Sequence, residues 1–144
     1  SLDRVVKDTI PLLNICLKGH KLNVNVEEKD IKVNGNLGEL QQVVFNLITN
    51  AVHASGDRGE ITIKVSSSDR TCNISVKDNG VGIPQELLSK IFEPFFTTKD
   101  KGKGTGLGLF VCNGIIQEHG GRIDVLSKVG EGTEFMIELP LWRE

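Results

Sequence analysis

Residues 46–54 read Asn46-Leu47-Ile48-Thr49-Asn50-Ala51-Val52-His53-Ala54. Read back to Leu37, this stretch carries Leu40, Val43, Val44, Leu47, Ile48 and Ala51 as one apolar stripe. That spacing predicts an amphipathic helix from about Leu37 to Ala54. At about 100° per residue, Gln42, Asn46, Asn50 and His53 share the opposite face. Two asparagines one turn apart lower helix propensity and add nothing to a core. A solvated face accounts for them, and so does a row of amide oxygens turned toward a ligand. An amide oxygen is a hard, neutral donor, suited to Mg²⁺ that already carries phosphate oxygens and water.

Working outward, Leu2 to Leu17 has apolar residues at helical spacing, interrupted by Pro11. Leu22–Val26 alternates as a strand does, and Ile31–Val33 is a shorter candidate. Downstream, Gly56 and Gly59 punctuate the asparagine helix. Two alternating strands follow, Ile61–Val65 and Cys72–Val76, joined by the polar turn Ser66 to Arg70. An irregular stretch of roughly 25 residues from Asp78 to Thr105 is long for a connection in a compact domain. It holds a short helix near Gln85 to Ile91. A third helix is expected from about Gly106 to His119, stopped by Gly120-Gly121. Strands Arg122–Ser127 and Thr133–Leu139 flank a Gly130-Glu131-Gly132 turn. This order predicts an α+β fold, a two-layer sandwich with helices on one face of a largely antiparallel sheet.

Composition bounds the rest. The 144 residues suffice for one domain, read here as a single unit over residues 1–144. A content of 38% hydrophobic and 25% charged residues is globular rather than disordered. The net charge of −2 gives no broad attraction to nucleic acid or anionic membrane. Cys16, Cys72 and Cys112 are widely spaced and form no C-x-x-C pair, which reads as reduced structural thiols of a cytosolic protein. No apolar run approaches the roughly 20 residues a bilayer requires.

Three further stretches carry candidate chemistry. Asp78-Asn79-Gly80-Val81-Gly82-Ile83-Pro84 is an ordinary turn by residue type. It is equally a carboxylate at a strand end, with glycines that let a flat ligand approach the backbone. A buried Asp can accept from an exocyclic amine such as that of adenine. Gly102-Lys103-Gly104-Thr105-Gly106-Leu107-Gly108-Leu109 runs into a helix, where exposed N–H groups and the helix dipole favour phosphate. It has neither P-loop spacing nor the preceding strand of a Rossmann fingerprint. A flexible glycine linker is the plainer alternative. Between these lies Phe92-Glu93-Pro94-Phe95-Phe96-Thr97-Thr98-Lys99, with three phenylalanines in five residues. They form either a core cluster or pins for a lid carrying Lys99, Lys101 and Lys103 toward phosphate.

In this order the motifs closely resemble the catalytic domain of sensor histidine kinases. "NLITNAVHA" resembles that family's N box, "DNGVGIP" its first glycine box, "FEPFFTTK" its F box and "GKGTGLGLF" its second glycine box. "GEGTEF" resembles the terminal glycine–threonine signature, and the likeness runs from about Leu22 to Leu139. It implies a mixed, mainly antiparallel sheet covered by helices, with ATP held under a long lid. By position, Asn50 would ligate Mg²⁺ and Asn46 would support it. His53 would contact phosphate where many relatives carry Lys. Asp78 would read the adenine amine, beside Gly80, Gly82 and Ile83. Lys99, Gly104, Thr105, Gly106, Leu107, Gly108 and Leu109 would shape the phosphate pocket, and Thr133 would lie near the adenine edge.

Hydrolytic members of the wider superfamily, which includes gyrase B, a heat-shock chaperone and mismatch-repair ATPases, place Glu where Asn46 stands. Asn cannot act as a general base. Glu39, on nearly the same face, lies about 10 Å away along the helix. The resemblance therefore implies an ATP- and Mg²⁺-dependent protein histidine kinase domain whose acceptor lies outside this chain. None of His20, His53 and His119 has the helical-hairpin context of a phosphoacceptor, so the dimerisation and phosphoacceptor domain is expected to be absent, and the fragment to autophosphorylate little. Its expected partners are that domain and a response-regulator receiver domain. The isolated domain is expected as a monomer, the parent as a homodimer, and the location as cytoplasmic, with a membrane anchor elsewhere in the parent left open. A serine kinase of the anti-sigma-factor type and a non-catalytic nucleotide-binding module remain the alternative readings.

Overall fold

The structure, a computed structural model, describes residues 21–26, 33, 35–55, 59–68, 70–93 and 108–141. The expected helix at Leu2–Leu17, Ile31–Lys32 and His20 lie outside the described residues. Among the described residues five strands form one sheet: β1 (Lys21–Val26), β2 (Glu60–Ser67), β3 (Thr71–Asp78), β4 (Arg122–Lys128) and β5 (Gly132–Pro140). Their spatial order is β1-β2-β3-β5-β4. β1 and β2 run parallel, and every other neighbouring pair is antiparallel. A parallel pair needs a crossover, and helix α1 (Leu37–Ser55) lies in that connection. Two further helices, α2 (Gln85–Leu88) and α3 (Gly108–Glu118), complete the set among the described residues. The expected α+β architecture on a mixed, mainly antiparallel sheet is what the chain adopts.

One face of the sheet makes the core. Ile61, Ile63 and Val65 of β2, Cys72, Ile74 and Val76 of β3, and Phe135, Ile137 and Leu139 of β5 are buried at alternate positions. Period-two burial of β-branched and aromatic residues is the signature of a sheet with one wet face. Leu40, Val43, Val44, Leu47, Ile48 and Ala51 of α1 close over them, joined by Cys112, Ile115 and Ile116 of α3. Phe92 packs edge-to-face on Phe135 with ring centroids 6.4 Å apart, so the first phenylalanine of the cluster is pinned to the sheet. Phe95 and Phe96 fall outside the described residues.

Two expectations shift at their edges. β2 continues through Ser66 and Ser67, which read as turn residues because they are polar. Pairing uses the backbone, and Ser66 and Ser67 find partners in Asn73 and Cys72. The helix expected to reach Ile91 ends at Leu88, after which Lys90 and Glu93 N–H groups bond back three residues in successive turns.

His119 ties the two long helices together. Its Nδ1 lies 2.7 Å from the Ile115 carbonyl, and its Nε2 accepts the Asn36 N–H at 3.0 Å. A carbonyl can only accept, so the proton sits on Nδ1 and the ring is neutral. Asn36 in turn caps α1, its Oδ1 accepting the Glu39 N–H at 2.9 Å. α3 ends in a Schellman arrangement: Gly121 N–H reaches the Ile116 carbonyl at 2.9 Å, with Gly120 at φ 77°. At Gly120 a Cβ would meet nothing closer than 3.7 Å, so the obstacle to a side chain is conformational alone. Gly120→Ala should therefore lower unfolding free energy by about 1–2 kcal/mol, and Gly120→Asn by less. Urea denaturation of the three proteins measures this, and equal midpoints would contradict the cap.

Candidate functional site

The site is built where β3 runs out of sheet. Asp78 is its last residue and faces inward, only 5% exposed. Its cross-strand partner is Thr133, also buried. The Asp78 carboxylate accepts the Gly80 N–H at 2.8 Å. Burial pushes this carboxyl above the ordinary value, while backbone hydrogen bonds from Gly80 and Thr133 pull it part of the way back. Among the described residues the carboxylate is thus held by N–H groups, and it retains acceptor capacity.

Residues 79–84 fold tightly around it. Asn79 Oδ1 accepts the Glu60 N–H at 2.9 Å, fixing the loop to the start of β2. Val81 N–H donates to the Ala54 carbonyl at 3.2 Å, using a carbonyl left over at the end of α1. Gly80 lies so close that a Cβ there would sit 2.3 Å from the same Ala54 oxygen. Gly82 has φ 78°, and its Cβ would fall 2.3 Å from the Lys128 carbonyl oxygen. Beyond it, Ile83 N–H donates to Ser127 Oγ at 2.7 Å. Gly130 N–H closes the far side on the Val81 carbonyl at 2.9 Å. The loop is thereby clamped between α1 and the β4–β5 turn.

The asparagine face of α1 is not simply solvated. Asn46 is half-buried and its Nδ2 donates to Cys112 Sγ of α3 at 3.6 Å. Cys112 Sγ lies 3.9 Å from the Val43 carbonyl, so the thiol keeps its proton and donates it there. Burial pushes this thiol up to about 11, and Cys72 likewise. Both are free cysteines, as expected; Cys16 is outside the described residues. With its amide nitrogen on the thiol, Asn46 turns Oδ1 away from Cys112. Asn50 is half-buried one turn further on, and His53 is exposed toward the Ala54 end of the helix.

Of the expected site residues, Asp78, Gly80, Gly82, Ile83 and Thr133 come together around one loop. Asn46, Asn50 and His53 lie on the helix whose end abuts that loop. Gly108 and Leu109 open α3, both half-buried. Lys99, Gly104, Thr105, Gly106 and Leu107 are outside the described residues. Ser127 and Cys112 were not anticipated: a serine alternating in a strand and a cysteine in an apolar helix stripe carry no signal of their polar partners. No cluster of three His, Cys, Asp or Glu suited to a metal occurs among the described residues. Neutral amide oxygens on α1 are instead donors that fit a hard cation already carrying anionic ligands.

Known proteins bear on this geometry. The family described as "Histidine kinase-, DNA gyrase B-, and HSP90-like ATPase" matches residues 35–143, and the chain belongs to it. Sporulation kinase C of Bacillus subtilis (strain 168) is 39% identical over 143 residues, which is 97% of this chain and 33% of the kinase. The nucleotide-free catalytic domain of histidine kinase ThkA has a TM-score of 0.87 at 34% identity, over 96% of this chain and 93% of that one. Full-length ShkA in complex with AMPPNP matches with TM-score 0.87 at 26% identity, covering 100% of this chain and 31% of ShkA. The fold and family are therefore those of the ATPase-type catalytic domain of sensor histidine kinases. The chain spans about a third of the sporulation kinase's length. No helix among the described residues is long and apolar enough to cross a membrane.

The raised Asp78 carboxyl has a consequence for stability. The folded state holds that proton more tightly than the unfolded chain does, so the unfolded state gains as pH rises through the interval between the two values. Relative to Asp78→Asn, which carries no charge at any pH, the parent should lose stability as pH climbs from the ordinary carboxylate value upward, and level off above the folded one. Denaturant midpoints of both proteins across that range test it. A gap independent of pH would show that burial does not perturb the group.

Proposed function

We propose that this chain binds ATP with Mg²⁺ and donates the γ-phosphoryl group to a histidine on a dimerisation domain outside it. The carrying observation is the buried Asp78 carboxylate, held open by two backbone N–H groups at the end of β3. Such a group is placed to accept from the exocyclic amine of adenine, beside Thr133, with Gly80, Gly82 and Ile83 forming the wall. Asn50, supported by Asn46, would hold Mg²⁺, and the bound ion would supply positive charge to offset that of the phosphates. Phosphate would lie toward Gly104, Thr105, Gly106, Leu107, Gly108 and Leu109, with His53 and Lys99 reaching it.

Catalysis then consists of positioning and electrostatic complementarity. An amide at position 46, its NH₂ committed to a thiol, cannot take a proton from water. His119 is unsuited as an acceptor because both ring nitrogens are engaged. An incoming imidazole from the phosphoacceptor domain would attack in line, assisted by a base on that domain. On this reading residues 1–144 are one catalytic and ATP-binding unit of a cytoplasmic module, the parent dimerises through its other part, and a response-regulator receiver domain takes the phosphoryl group onward.

Asp78→Asn should weaken ATP binding by on the order of a hundredfold, the cost of mispairing a buried charge-assisted contact. Titration calorimetry reads this directly, and unchanged affinity would remove adenine from Asp78. A second measurement is phosphate transfer. The chain alone should label weakly, whereas addition of the parent's histidine-bearing domain should produce an acid-labile phosphoryl product. An acid-stable product would favour a serine kinase, and strong labelling of the chain by itself would contradict an external acceptor.

A further inference from the structure

Ser127 joins two pieces of the site, the loop after Asp78 and the start of β5, through three contacts. Its Oγ accepts the Ile83 N–H at 2.7 Å, donates to the Gly132 carbonyl at 3.1 Å and lies 2.8 Å from Thr133 Oγ1. A serine hydroxyl has one proton and two lone pairs. Ile83 brings a proton of its own and fills one lone pair. The Gly132 carbonyl brings none, so the only proton available for that contact is the serine's. The Thr133 hydroxyl must then donate into the second lone pair of Ser127.

This accounting fixes the polarity of the pocket edge. Thr133 spends its proton on Ser127 and keeps only lone pairs for anything else. Its neighbour across the strands, Asp78, is likewise an acceptor, and both side chains lie on the buried face. The two together present acceptors only. We infer that Ser127 sets the purine selectivity of this site by orienting the Thr133 hydroxyl, so that a base bearing an amine at C6 is taken and one bearing a carbonyl there is refused. The inference rests on the adenine reading above. Ser127 is a positioning residue in it, since its own hydroxyl is saturated within the protein and has nothing left to offer a base.

The site's two neighbours explain why the orientation is stable. Turning the Thr133 proton toward the base would leave Ser127 with an empty lone pair. Turning the Ser127 proton toward Thr133 would leave two oxygens, Ser127 Oγ and the Gly132 carbonyl, facing each other at 3.1 Å without a proton between them. Each rearrangement forfeits a hydrogen bond among part-buried contacts, one of whose members, Thr133, is itself buried.

The test compares ATP with ITP, which replaces the C6 amine by a carbonyl. Their affinities for this chain are measured on the same protein sample, so that the ratio is insensitive to the fraction folded. The parent should prefer ATP. Ser127→Ala frees the Thr133 proton to rotate, and the ATP-to-ITP preference should shrink on the order of tenfold, the worth of about one hydrogen bond. Ser127→Thr keeps the hydroxyl and should restore the ratio. Thr133→Val gives a second route if Ser127→Ala folds poorly: it should weaken ATP without weakening ITP. An unaltered ratio in Ser127→Ala, or a loss of ITP equal to that of ATP in Thr133→Val, overturns the assignment. Failure of the parent to bind ATP, or indifference to Asp78→Asn, would instead overturn the nucleotide reading beneath it.

Discussion

A carboxylate buried at the end of the central strand must be solvated by the protein, because leaving it bare costs several kcal/mol. Asp78 is solvated by N–H groups of Gly80 and Thr133. Bringing the Gly80 N–H round requires the chain to turn back at once, and the turn lays Gly80 against the Ala54 carbonyl of α1. Bringing the Thr133 N–H in requires β5 to start directly opposite Asp78. There a Cβ on Gly132 would stand 2.1 Å from the Asp78 carbonyl oxygen. One buried charge therefore dictates where α1 must end, where β5 must begin, and why both places lack side chains. Gly82, left-handed and pressed on Lys128, is the third position that the same turn closes off to a Cβ.

α1 is held at both ends by groups that belong to other elements. At its start, the capping residue Asn36 is gripped by His119 at the end of α3. At its finish, the Ala54 carbonyl receives the Val81 N–H of the Asp78 loop. Midway, Asn46 reaches across to Cys112. A helix fixed at three points presents its polar face in a constant position, and a site assembled on such an element keeps its geometry better than one built on loops. The apolar stripe supplies most of the adhesion, whereas these polar contacts set where along the helix each asparagine falls.

The architecture could be read from residues because burial has a period. Ile61-Thr62-Ile63-Lys64-Val65 alternates at every step, and Leu40 through Ala51 repeats at three and four. Element ends were harder to see, since Ser66 and Ser67 join β2 through backbone bonds that no side chain announces. Asp78 and the glycines around it stood out because a carboxylate and small residues at a strand end are informative in pattern. Ser127 and Cys112 did not, for a physical reason: each acts by a hydrogen bond to a residue distant in sequence, Ile83 for one and Asn46 for the other. Residue type and local spacing carry no trace of such pairings. Asn46 likewise looked compatible with a plain wet surface until α3 was seen packed on it.

The Asn46–Cys112 contact also bears on why a site of this shape would hold a triphosphate without spending it. Hydrolysis needs a group that removes a proton from water, and neither side chain of this contact is armed to do so. Asn46 has no basic electron pair, and its nitrogen faces sulfur. Cys112 is kept as a thiol by burial, pushed up to about 11, and its proton is directed at the Val43 carbonyl. Replacing Asn46 by a carboxylate would set a negative charge against a desolvated thiol where α1 packs on α3. On the proposed reading, the same packing that anchors the helix keeps water unactivated, so that transfer waits for a nucleophile delivered from another domain.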